Sequence, residues 1–385
     1  MTDDLWQSPG GNAAVPPPTA HPMAPGGFGQ PGWTPPPKPG LIPLRPLDLG
    51  TILGASFRVL RRNPRATFGA ALLIQGSVSL LLALVVGFVT FGALARIGAS
   101  STQNTAQVTA GAYGLIVVSA LIPGLFVVIA TVLLQGIIVL EVSRATVGEK
   151  LALGQLLRLA RGRIGALIGW SALLLLAGLV VVGVLVTTIV LLVTTAGTGG
   201  VIAAVLIGIF GALGIAPLFG WLNTKLAFVP SALMIERLSL RAAVARSWSL
   251  VRSFFWRTFG ISALVAVIVG VVSQVVSTPL SFITPMVMGL LDPQGQHGPT
   301  AVAVTVAISA LAIVVTVVFQ SITSVVQAAT TGLLYLDLRI RKEGLDLELV
   351  RFVEARQAGD LRISDPLLHT TAAPHPAASD ESPWA

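Results

Sequence analysis

Long charge-free apolar runs alternate with short basic clusters along most of this 385-residue chain. Runs 66–95, 97–140, 164–224, 258–291 and 293–336 contain no Asp, Glu, Lys or Arg. A helix needs about 20 apolar residues to cross a bilayer. Four of the runs fit one span each. The run 164–224 fits two, with a turn over Thr194–Gly200. The pattern predicts six transmembrane helices at 67–92, 114–140, 165–193, 201–224, 259–280 and 303–334. Pro279 and Pro285 predict that the fifth span stops near 280, which leaves Met286–Leu291 as a short external or re-entrant piece.

The basic clusters set the expected orientation. Arginine and lysine fall before the first span, in 144–163, in 225–257 and after Asp337. Apart from Arg96, the other connections carry no basic residue. The positive-inside rule puts the basic segments, and both chain ends, in the cytoplasm of a bacterium. The fold class expected is an all-α membrane protein, a six-transmembrane-helix bundle.

The clusters also resemble one another. Leu47-Asp48-Leu49-Gly50, Leu151-Ala152-Leu153-Gly154 and Leu238-Ser239-Leu240 each lead through arginines into a span, and Leu345-Asp346-Leu347 follows the last one. This reads as three parallel two-span repeats, each preceded by a basic amphipathic cytoplasmic helix. In the first helix, Leu49, Ile52, Leu53 and Leu60 share a face opposite Arg58, Arg61, Arg62 and Arg65. In the third, Val244, Trp248, Val251 and Phe255 form a stripe, with Arg246 and Arg257 on the far side and Arg241 and Arg252 flanking it. Such helices suit the membrane surface, with arginines on anionic lipid headgroups. Equally, they suit packing beneath the bundle, the arginines serving topology alone. The candidate headgroup contacts are Arg58, Arg61, Arg62, Arg65, Arg241, Arg246, Arg252 and Arg257. Lys225, near the end of the fourth span, is the candidate intramembrane or interfacial charge: it snorkels to the headgroups, or, if the helix begins later, it lies deeper and is functional. Pro217 and Pro230 are expected to kink or break this region.

Composition narrows the function. Only 10% of residues are charged, against about 25% in soluble domains. The mean hydropathy is +0.85. There is no cysteine, and the histidines (His21, His297, His369, His375) lie in the tails or an external turn. No nucleophile–base pair, metal cluster or phosphate loop stands out, so neither enzyme activity nor a cofactor is expected. The sequence pI of about 10.9 follows from topology and does not imply nucleic-acid binding. Residues 1–46 are rich in Pro and Gly and lack a signal-peptide core. They are expected to form a disordered cytoplasmic arm, with docking to a Pro-binding partner as the sharper alternative. The membrane domain is set at 47–356 and a disordered tail at 357–385.

Three segments carry a family resemblance: Arg45-Pro46-Leu47; residues 230–260, with Glu236, Arg246-Ser247-Trp248 and Phe255-Trp256-Arg257; and Leu334-Tyr335-Leu336-Asp337-Leu338-Arg339-Ile340-Arg341-Lys342-Glu343-Gly344. Over about 44–355 the chain resembles an actinobacterial family of six-span membrane proteins of unknown function. That family is often labelled the membrane domain of glycerophosphoryl diester phosphodiesterases. The resemblance implies topology and location. It does not imply catalysis, because the metal-binding barrel has no counterpart here.

Two functional readings remain. One is a non-enzymatic scaffold or lipid-contacting accessory protein, with anionic membrane lipids as partners. The other is a small-solute or lipid transporter. The spans carry Gln75, Gln135, Gln274, Gln320 and Gln327 but no ionisable group, and intramembrane amides commonly bridge helices. A continuous polar cavity between the spans favours transport; a bundle sealed by aliphatic side chains favours the first reading.

Overall fold

The computed structural model describes residues 40–98, 105–195, 197–291, 298–360 and 362–368. Among these residues the secondary structure is helical, without strands. The apolar runs form the long helices α2 (Phe68–Gly98), α3 (Thr105–Thr146), α5 (Ile164–Thr195), α6 (Gly197–Leu226), α9 (Phe255–Leu291) and α10 (Pro299–Glu343). Each is long and apolar enough to cross a membrane, so the chain is a multi-pass membrane protein. In lipid a helix satisfies every interior backbone group within itself, which is why uninterrupted apolar runs take this form.

The basic clusters form short helices: α1 (Leu49–Arg62), α4 (Leu153–Ala160), α8 (Leu240–Arg252) and α11 (Leu345–Gln357). The order short, long, long thus occurs three times, with a fourth short helix at the end. The additional helix α7 (Val229–Ile235) lies between α6 and α8.

α3 and α10 span 42 and 45 residues, about 63 and 68 Å at 1.5 Å per residue. Both exceed the roughly 30 Å hydrocarbon core. Their C-terminal turns therefore stand beyond the apolar runs, and there the short helices gather. The main hydrophobic core lies at this end, built from Ile52, Val59, Ile138, Leu156, Leu233, Leu250 and Tyr335 among others. Many side chains along the apolar helices stay exposed, including Phe88, Val184, Phe210 and Leu311, as a lipid-facing surface requires.

Three local expectations change. α9 runs through Pro279 and Pro285 to Leu291 without a stop. A proline removes one ladder bond, and a helix supported by neighbours tolerates that loss. Pro230 does mark a break: α6 ends at Leu226 and Pro230 sits in the first turn of α7. Ser247 splices this break. Its hydroxyl donates to the Lys225 carbonyl at 2.7 Å and accepts from the Phe228 N–H at 3.3 Å.

The second change concerns the boundaries. Leu41 and Ile42 are buried, and the Leu41 N–H donates to the Ala145 carbonyl at 2.9 Å. The packed unit thus starts before residue 47. At the other end, Leu367 is buried and Asp365 pairs with Arg144 at 2.7 Å, so residues of the expected tail dock as well. The rest of the expected arm, up to 39, and the tail beyond 368 lie outside the described residues.

Finally, the buried face of α8 is Ala243, Ser247, Leu250 and Val251. Trp248 is 38% exposed, whereas the Arg246 side chain is 17% exposed. Of the Val244–Trp248–Val251–Phe255 stripe, Val251 is buried and Val244 and Phe255 pack against the core; Trp248 departs from it, while the polar bonds of Arg246 and Ser247 bring those two side chains inward.

Candidate functional site

The charged end of the bundle is held by buried ion pairs. Glu236, directly after α7, has a fully buried side chain. Arg246 of α8 donates Nε to both its carboxylate oxygens, at 3.1 and 3.0 Å. The Tyr335 hydroxyl of α10 also donates to Glu236, and Arg339 lies 3.6 Å away. Arg246 and Arg339 both reach Glu343, at 2.8 and 3.1 Å. Burial disfavours the charged form of Arg246, but hydrogen bonds to Glu343 and Glu236 outweigh it and raise its pKa. α7, α8 and the end of α10 are thereby tied together.

A second knot centres on Asp337, whose side chain is also fully buried. It accepts from the Leu47 N–H at 2.8 Å, from Arg257 at 3.1 Å and from Arg341 at 3.0 Å. Arg341 also donates to the Leu47 carbonyl at 2.9 Å. The entry to α1 is thus fastened to α9 and α10. A third arginine, Arg62, donates to the carbonyls of Ala145, Gly148 and Glu149 at 2.8, 2.9 and 3.1 Å. It satisfies the open carbonyls at the end of α3.

These contacts sort the eight candidate arginines. Arg62, Arg246 and Arg257 are engaged with the protein's own acids and carbonyls. Arg58, Arg61, Arg65, Arg241 and Arg252 are exposed. Sequence reasoning missed Glu236, Tyr335, Asp337 and Arg339 as network residues. A signal was available: Tyr335, Asp337, Arg339 and Arg341 interrupt an apolar run at every second position. Moreover, the segments that carry the resemblance contain nearly all members of both knots.

Lys225 lies in the last turn of α6 and is 8% exposed. Its ammonium sits 5.3 Å from the Trp248 ring and 5.5 Å from the Phe255 ring, in cation–π range. It is covered by α8 and does not reach out freely as a snorkelling lysine would. Trp221 meets Trp248 edge-on at 5.3 Å. Trp256, 79% exposed, and Phe259 extend this aromatic group. Such rings characteristically sit at the membrane–water boundary.

Between α3, α5, α6, α9 and α10 lies a cavity of about 400 Å³. Gln135, Asn223, Ser262, Gln327 and Thr331 supply its polar wall, beside Trp170, Leu174, Phe219 and Leu222. None of its lining residues is ionisable. A smaller cavity of about 130 Å³ shares Gln135, Gln327 and Thr331, so the two glutamines stand in the partition. The bundle is therefore not sealed by aliphatic side chains at this level. Among the described residues no group of three His, Cys, Asp or Glu could hold a metal.

No curated protein and no solved structure matches the chain. A family model described as Domain of unknown function (DUF7847) matches residues 47–338. That stretch contains all six membrane-crossing apolar runs together with Glu236, Arg246, Arg257, Tyr335 and Asp337, and it is most of the chain: the protein belongs to this family.

Proposed function

We infer that this protein is a non-enzymatic, lipid-contacting component of the bacterial cytoplasmic membrane, with its charged end and both termini on the cytoplasmic side. The observation that carries this reading is the sorting of the arginines. Where the buried acids and carbonyls need a cation, Arg62, Arg246 and Arg257 supply it. Arg58, Arg61, Arg65, Arg241 and Arg252 remain exposed on the short basic helices and their flanks, and Arg241 and Arg252 lie on the helix that carries Trp248. Exposed arginines beside a membrane surface attract anionic headgroups, each worth about 1 kcal/mol at low salt. The α1 and α8 helices then lie along the inner leaflet as basic interfacial helices. The three short–long–long units act as parallel repeats that present these helices together.

The test uses the full chain purified in native lipid, with retained lipids identified by mass spectrometry. Anionic lipid should be enriched over the bulk membrane. Replacing Arg58, Arg61, Arg65, Arg241 and Arg252 with glutamine should remove the enrichment while the protein stays folded. Unchanged lipid composition in that variant contradicts the reading.

The cavity supports a second reading, a transporter of a small solute or lipid. An amide-lined space between spans is the feature such a function requires, and flux assays in proteoliposomes test it.

A further inference from the structure

We propose that the cavity between α3, α5, α6, α9 and α10 is a binding site for an uncharged, hydroxyl-bearing group, either a free polyol or the glycerol moiety of a neutral lipid. This does not depend on the arginine surface. Three amides carry the argument. Gln135, Asn223 and Gln327 line the cavity, Asn223 and Gln327 are exposed into it, and none of the three side chains forms a hydrogen bond among the described residues. Thr330 and Thr224, by contrast, are satisfied by the carbonyls of Val326 and Gly220.

An amide left without a partner in hydrocarbon is strongly disfavoured, because nothing there replaces the hydrogen bonds that water would supply. Depth makes this matter. Gln327 lies ten residues before Asp337, about 15 Å along the helix, which is half the hydrocarbon thickness. Asn223 lies two residues before Lys225 and Ser262 five after Arg257. The polar wall thus runs from the charged end towards the midplane, and its groups need a hydrogen-bonding occupant.

The wall also selects the occupant. Amides and hydroxyls each offer donors and acceptors, as do hydroxyl groups. No wall residue can neutralise a charge, and an unpaired charge at this depth is heavily disfavoured. The volume falls within the range of small-molecule sites. Phe219, Leu174 and Leu222, which are 69%, 39% and 39% exposed, form an apolar side of the opening that an acyl chain can follow.

The experiment uses the full chain in nanodiscs. A photoactivatable diacylglycerol and a phosphatidic acid carrying the same reactive acyl group are compared, and radiolabelled glycerol binding is measured in parallel. Diacylglycerol should label the segments around Asn223 or Gln327 at least tenfold more than phosphatidic acid does, or glycerol should bind saturably. The first result assigns the lipid source, the second the free polyol. The double variant Asn223→Leu with Gln327→Leu should lower the signal at least tenfold, while Gln75→Leu, outside the cavity, should leave it unchanged. The comparison of neutral and charged probes on the unaltered protein stands even if the double variant fails to fold. In the absence of saturable glycerol binding, equal labelling by both lipids, or labelling confined to outer surfaces such as Val267 and Leu311, overturns the proposal.

Discussion

Replacing Arg246 with methionine removes the cation that bridges Glu236 and Glu343 while keeping most of the side-chain volume. Glu236 is fully buried. After the change it retains the Tyr335 hydroxyl and Arg339 at 3.6 Å, but it loses the two-oxygen bond at 3.0–3.1 Å. Breaking one side of a buried ion pair costs about 3–5 kcal/mol, because a buried charge is left under-compensated. Arg339 offsets part of that loss, so the expected cost is about 3 kcal/mol, the low end of the range. Tyr335→Phe withdraws one donor from the same carboxylate and should cost about 1–3 kcal/mol. Arg241→Gln, at an exposed position, should stay within about 0.5 kcal/mol. Equilibrium unfolding of the purified protein in mixed micelles, followed by circular dichroism, measures all three. The order Arg246→Met, then Tyr335→Phe, then Arg241→Gln supports the network. An Arg246→Met cost no larger than that of Arg241→Gln refutes it and returns Arg246 to the headgroup contacts.

Other perturbations probe separate joints. Asp337→Asn keeps an acceptor for the Leu47 N–H but loses its charge pairs with Arg257 and Arg341; hydrogen exchange at residues 47–52 should rise at least tenfold. Gly40→Ala would drive a Cβ into the backbone carbonyls of Ala145 and Thr146, so the Leu41 amide should lose its protection while α9 is unaffected. Gly136→Leu would collide with Leu167 and Met234, since even a Cβ there falls 2.8 and 3.2 Å from their side chains; overpacking of this kind typically costs about 1–3 kcal/mol, read as a lowered unfolding midpoint.

The six spans were legible because charge is excluded from the bilayer, and that exclusion is written residue by residue in runs such as 164–224. The break at Pro230 was legible for a similar local reason. The orientation of α8 was not. Its periodicity groups Trp248 with Val244 and Val251 against Arg246, yet Trp248 is left exposed and Arg246 is drawn in by Glu236 and by Glu343, which lies 97 residues from Arg246. Partners that distant leave no trace in a helical wheel. The roles of Arg62 and Arg257 were hidden likewise, since both bond to backbone carbonyls brought near only by folding. The docking of Leu41, Ile42 and Leu367 was missed because two or three apolar residues in a Pro-rich or polar segment give no periodic signal. The cavity was half legible: the amides were visible as intramembrane polar groups, but bridging and lining give the same sequence.

The central claim is a bundle of six spans whose charged end faces the cytoplasm, and impermeant thiol labelling tests it most directly. The chain has no cysteine, so each introduced thiol reports alone. In intact cells, Asn104→Cys, Thr198→Cys and Gly295→Cys should react from outside, while Lys150→Cys and Arg241→Cys should react only after the membrane is opened. Labelling of Lys150→Cys or Arg241→Cys in intact cells would contradict the account.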